Sequence, residues 1–233
     1  MLTAVRKEIK KHSNPDKAKF LQRFFKTGKG EYAKGDKFLG IVVPEQRQIA
    51  KKFKTLSFTD LQKLITSVYH EERLIALLIL VERFKKADKE EKEKIVKFYL
   101  DNQKGINNWD LVDLSAPKIL GEYLLDKDRK ILCKFAKSDD LWEKRIAVLS
   151  TFTFIKNNDF NDALKIYEIV VNDDHDLIHK AVGWMLREVG KIDIKTEEDF
   201  LRKHYKTMPR TMLRYAIEKF PEKKRKAYLK GMI

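Results

Sequence analysis

The sequence predicts an all-α chain organised as a solenoid of repeated helix pairs, and three observations predict it. Apolar residues recur at helical spacing almost throughout the 233 residues, with no convincing strand-like alternation. Glycine and proline are scarce, at 9 and 5, too few for the frequent turns of a β-sandwich. A short apolar pattern then returns at a nearly fixed interval, which is the signature of a repeat array. Hydrophobic residues make up 43% of the chain, enough to build a core, and Lys, Glu, Leu and Ala, all good helix formers, are abundant. The length favours a single domain over residues 1–233, with two small ones as the alternative.

Taken in order, the periodicity places helices at 2–11, 15–26, 44–54, 58–68, 70–86, 88–103, 107–125, 127–137, 139–155, 159–171, 175–189, 196–207, 209–219 and 221–230. Capping chemistry marks several starts: Asn14-Pro15, Thr59-Asp60, Ser138-Asp139 and Asn158-Asp159. The connections are short, as in stacked helical hairpins. Residues 26–37 stand outside the pattern, with Gly28, Gly30 and Gly35 among four lysines. No strand precedes them and no GxxxxGK[ST] forms, so a nucleotide-binding loop is rejected. Two readings stay open, a basic loop that touches phosphates and a plain surface connection.

The repeat is read from Ile75-Ala76-Leu77, Leu111-Val112-Asp113, Ile146-Ala147-Val148 and Val182-Gly183-Trp184, with a weaker copy at Tyr215-Ala216-Ile217. The centres are 36, 35, 36 and 33 residues apart. Two helices per period mean a helical solenoid, with HEAT-like and tetratricopeptide arrays as candidates, although no tetratricopeptide signature is present. The small central residue is expected to let neighbouring helices approach closely. The next position holds Leu77, Val148 and Ile217 in three copies but Asp113 and Trp184 in the other two. A carboxylate where sister repeats place an aliphatic points to a use beyond packing.

The net charge is +15, which suits a polyanionic partner. Residues 1–60 and 202–233 each carry a net +9, and the middle carries −3. Basic ends around a near-neutral middle would suit a clamp or groove on a phosphate backbone. The single cysteine, Cys133, excludes an internal disulfide framework and reads as a small buried hydrophobe. The first residues lack the apolar stretch of a signal peptide, and the longest apolar run, 74–81, is too short to span a bilayer. No membrane association and a cytoplasmic location are expected.

Trp109 and Asp113 lie one turn apart and share a helix face, whereas Asp110 points elsewhere. Trp184 and Arg187 share a face of another helix. Arg145 and Arg214 each sit two residues before a repeat centre. Such a set would suit a cationic, planar ligand beside a phosphodiester: aromatic faces attract the cation, the carboxylate offsets its charge, and arginines grip phosphates. His175 and His179 form the only close histidine pair and have no third ligand, so no metal site is expected. Ser115 and Ser150 have no His or Asp at a motif spacing, so serine nucleophiles are unsupported.

The segments Phe38-Leu39-Gly40-Ile41-Val42-Val43-Pro44-Glu45-Gln46-Arg47, Asn108-Trp109-Asp110-Leu111-Val112-Asp113, Leu141-Trp142-Glu143-Lys144-Arg145-Ile146-Ala147 and Lys180-Ala181-Val182-Gly183-Trp184-Met185-Leu186-Arg187-Glu188 resemble those of the AlkD-type DNA alkylation repair proteins. The resemblance covers about residues 15–220. It implies an α-solenoid of HEAT-like repeats whose concave basic face holds duplex DNA. It also implies a monomeric, cofactor-free glycosylase that excises N3- and N7-alkylated purines without drawing the base into a pocket. Trp109, Asp113 and Trp184 match family positions that contact the lesion nucleotide, and Arg145 matches one that holds the backbone. Arg187, Arg47, Arg214 and Lys180 are the further candidates for DNA contact. The chain departs from the pattern at Phe24, where the reference enzyme carries an aromatic hydroxyl; Tyr32 lies in the adjacent loop. Two rival readings share the repeat: a non-catalytic DNA- or RNA-binding protein and a protein-interaction scaffold.

Overall fold

Fourteen α-helices run in the number and order that the periodicity predicts. The computed structural model describes residues 1–233, and these divide into two compact units, 1–119 and 120–233. The first holds α1 (Leu2–His12), α2 (Pro15–Gln22), α3 (Val43–Lys52), α4 (Phe58–Ile65), α5 (His70–Phe84), α6 (Lys89–Asp101) and α7 (Trp109–Ala116). The second holds α8 (Lys130–Ala136), α9 (Leu141–Lys156), α10 (Asn161–Val170), α11 (Asp176–Gly190), α12 (Ile194–His204), α13 (Arg210–Ala216) and α14 (Glu222–Lys230). There is no sheet; one isolated parallel bridge joins Lys37 to Tyr69. No helix is long and apolar enough to cross a membrane.

The repeat is visible in the packing. Within the first unit α5 packs on α3 and α7, with α4 and α6 beside it; within the second α11 packs on α9 and α13, with α12 beside it. Within each unit, therefore, the helices that carry the repeat centres stack on one another. α5 has neighbours on both sides, α3 and α7. This explains why residues 70–81 are buried on every face of α5, where an exposed helix would show one apolar stripe. Ala76, Val112, Ala147, Gly183 and Ala216 are all buried. At Gly183 the close approach is direct: a Cβ there would fall on the Met212 carbonyl oxygen and the Tyr215 Cβ of α13.

Several local expectations are corrected. The helix expected over 107–125 breaks at Pro117, which has no N–H to give and crowds the preceding turn; the chain widens into a π-helical turn over Pro117–Gly121. Asn14 caps α2 as expected, but α4 is capped by Ser57 rather than Thr59, and α9 by Asp140 rather than Ser138. Asn158 caps nothing; it follows α9 with φ +59°. α8 begins three residues late because the Asp128 carboxylate takes the Lys130 amide at 2.9 Å. Cys133 is partly exposed, not buried.

Candidate functional site

α7 presents the first half of the candidate set. Its start is fixed by Asn108, fully buried, whose side chain takes the Trp109 amide at 2.9 Å. Trp109 and Asp113 follow one turn apart and are both half-buried. The repeat equivalents of Asp113, namely Leu77, Val148 and Ile217, are fully buried. Asp113 nevertheless acts inward as well. Burial pushes the Tyr99 phenol up, a bond with Ser115 at 3.1 Å opposes this, and the Asp113 charge adds to the rise.

Asp110 does not point into solvent. Its carboxylate meets His70 Nε2 at 2.8 Å, and the other imidazole nitrogen faces Asp36 at 3.4 Å. Asp36 also takes Arg73 at 2.6 Å and the Asn108 amide at 3.3 Å. Burial opposes the imidazolium, but Asp110 outweighs it, with further help from Asp36, and pushes His70 up to about 9. Burial likewise opposes the Asp36 carboxylate, yet His70 and Arg73 hold it below the usual range. His70 is thus a buried cation between two carboxylates, and it ties the end of the glycine-rich loop to the start of α7.

An aromatic stack runs beside this ionic cluster. Phe25 stacks on Trp109 with ring centres 5.4 Å apart and planes 17° apart. Phe25 also meets Phe38 at 4.9 Å and His70 at 4.8 Å. The aromatic contact to Trp109 therefore comes from Phe25, whereas Phe24 is 59% exposed. Residues 39–41 are held by Glu71, whose carboxylate takes the amides of Leu39, Gly40 and Ile41. Gly40 is required there: φ is +80°, and a Cβ would strike the Asn14 carbonyl and the Ala18 amide.

The second unit carries the other half. Trp184 on α11 is half-buried, packs against Phe152 at 6.1 Å and donates Nε1–H to Glu188 at 3.1 Å. Arg187 pairs with Glu218, and Lys180 with Asp176 at 2.6 Å. Arg145 is only 4% exposed and donates to the Leu177 carbonyl at 2.5 Å, which pins α9 to the first turn of α11. Arg214 is exposed and without an ion pair. In the first unit Arg47 and Lys85 lie near Lys118; burial first, and then these two cations, hold the Lys118 ammonium below the usual lysine range. His175 is spent on the start of α11, accepting the Leu177 amide at 3.1 Å. Ser115 and Ser150 are buried and donate to the carbonyls of their own helices at 2.5 and 2.7 Å.

Sequence reasoning missed His70, Asp36, Arg73, Glu71, Phe25 and Phe38. One signal was available. His70-Glu71-Glu72-Arg73 runs straight into the apolar core of α5, so charged side chains at that point have to be buried against partners.

A family model described as "DNA alkylation repair enzyme" matches residues 5–220. Among solved structures, one titled a predicted DNA alkylation repair enzyme from Enterococcus faecalis superposes with a TM-score of 0.69 at 18% identity. The match covers 91% of this chain and 98% of that one. A search of curated proteins returns no match.

Proposed function

Because the chain belongs to the DNA alkylation repair enzyme family, we propose that it is a monofunctional glycosylase releasing N3- and N7-alkylated purines from duplex DNA. The observation that supports this most is the placement of Asp113. It is a half-buried carboxylate one turn after a half-buried tryptophan, at a repeat position filled elsewhere by buried aliphatics. The start of its helix is braced by the His70 cluster.

An alkylated purine of this class carries a positive charge and leaves as a neutral base. As the glycosidic bond breaks, positive charge moves onto the deoxyribose. The Asp113 carboxylate stabilises that charge and orients the water that adds to C1′. The Trp109 ring, held by Phe25, offers its π-face to the cationic nucleotide. Within the second unit, Trp184 is a further aromatic candidate for contact with DNA. Arg47 and Arg214, neither of them ion-paired, neutralise phosphates and set the register. Arg187 and Lys180 join them by exchanging carboxylate partners for phosphate. The chemistry requires no lysine nucleophile, so no strand cleavage follows excision.

The test is chromatographic release of 7-methylguanine and 3-methyladenine from methylated duplex DNA. Asp113→Asn is expected to slow release by about 10²–10³-fold, the loss typical of one electrostatic stabiliser. Equal release by both proteins removes the role given to Asp113, and no release by the wild type removes the enzyme. A second reading, DNA binding without excision, draws on one observation: Arg145, matched to a backbone contact, is enclosed and bound to Leu177. Tight, salt-sensitive binding with no base release would select it.

A further inference from the structure

Most arginines of this chain hold a carboxylate: Arg6 takes Glu72, Arg73 takes Asp36, Arg129 takes Asp159, and Arg187 takes Glu218. Among those with no ion pair, two stand together on α13. Arg210 and Arg214 lie one turn apart on α13 and share a face. With Arg225 of α14, Ile217 and Leu229 they line a cavity of about 150 Å³. No carboxylate lines it. Arg210 and Arg214 make no ion pair, and the Arg225 Nε is buried without a partner. Of the three arginines only Arg225 has a carboxylate partner: its Nη2 meets Glu222 at 3.1 Å, and Glu222 also takes Lys226 at 3.3 Å.

We propose that this arginine-lined cavity is a phosphate-binding site. Three guanidinium groups, of which only Arg225 has a carboxylate partner, line one small space, and their mutual repulsion falls when an anion enters. The cavity lies well below the roughly 300–1,000 Å³ of ordinary small-molecule pockets, so it takes one tetrahedral group and not a whole nucleotide. Guanidinium forks match phosphate oxygens two at a time. A carboxylate, with two oxygens and one charge, leaves at least one fork unused. Ile217 and Leu229 form a low-dielectric wall that strengthens each contact. The phosphate has two sources, a backbone diester of duplex DNA or a phosphate monoester. The first rests on the DNA-repair reading above; the phosphate chemistry itself does not.

The experiment compares wild type, Arg210→Gln/Arg214→Gln and a control pair of equal charge loss, Lys203→Gln/Lys223→Gln. The first arm is thermal melting in sodium phosphate against sodium chloride of equal ionic strength. Phosphate is expected to raise the midpoint of wild type and control by about 2–4 °C once it exceeds its Kd several-fold. The arginine pair is expected to show no rise. The second arm is the salt dependence of binding to duplex DNA with hydroxyl ends. The slope of log K against log salt should fall by about 1 in the arginine pair if a backbone phosphate occupies the site. A phosphate rise with an unchanged DNA slope supports the site and assigns it to a monoester. A rise in none of the proteins, or in all three alike, overturns it. A wild type that excises bases while the phosphate arm stays flat loses only this site. A wild type that responds to phosphate but neither binds nor excises DNA loses only the repair reading.

Discussion

Helices α7 and α11 each offer a half-buried tryptophan from the repeat core, but they are held by different physics. Trp109 depends on charge at a distance. The start of α7 is tied to Asp36 and Arg73 through the buried imidazolium of His70, and Phe25 wedges against both His70 and the indole. Trp184 depends on shape close by. Its indole bonds to Glu188 on the same helix and packs on Phe152, while Gly183 beside it lets α13 come against α11. The difference teaches that equivalent helices of a repeat need not be equally robust. α7 should fail through deprotonation of His70 and loss of counter-charge, α11 through added volume.

The largest effect expected is from His70→Ala. It strands Asp110 without its buried counter-charge and leaves Asp36 only Arg73, at a cost of about 3–5 kcal/mol. Denaturant melts measure this, and a cost under about 1 kcal/mol would break the claim that α7 is held by charge. Next comes pH. The folded pKa of His70, about 9, lies above the ordinary value of 6.5, so its contribution is complete below about pH 6.5 and is lost as pH rises through 9. The wild type should lose about 3 kcal/mol over that window. Glu197, whose carboxyl burial pushes up to about 8 with help from Glu198, titrates in the same range. The measurement is therefore the difference between wild type and His70→Ala, which should shrink toward high pH; a constant difference refutes it. The smallest effect is Gly183→Ala, about 1–3 kcal/mol from overpacking. It should be indifferent to pH, and its urea midpoint measured at pH 6 and pH 9 against wild type sharpens the contrast.

The helices and their stacking order were legible because burial at 3.6-residue spacing is a local property. So was the oddity of Asp113, since four sister copies supply the comparison within one chain. The His70 cluster was not, because it joins residues 36, 70, 73 and 110, which only the fold brings together. The partner of Asp110 was hidden for the same reason; it lies 40 residues away. Phe24 and Phe25 were indistinguishable in sequence. α2 ends at Gln22, and beyond it side-chain direction follows the turns of the loop rather than helical geometry. The caps misled where several candidates stood together, as at Ser57 and Thr59.

The three amides gathered by Glu71 have a consequence for measurement. Leu39, Gly40 and Ile41 lie outside any helix, and their hydrogens are shielded by one carboxylate 30–32 residues away. Their hydrogen-exchange rates therefore clock the detachment of this loop from α5, separately from the unwinding of any helix. Since the same loop leads from Asp36 and carries Phe38 against His70, those amides are a built-in reporter of how often the brace under Trp109 opens.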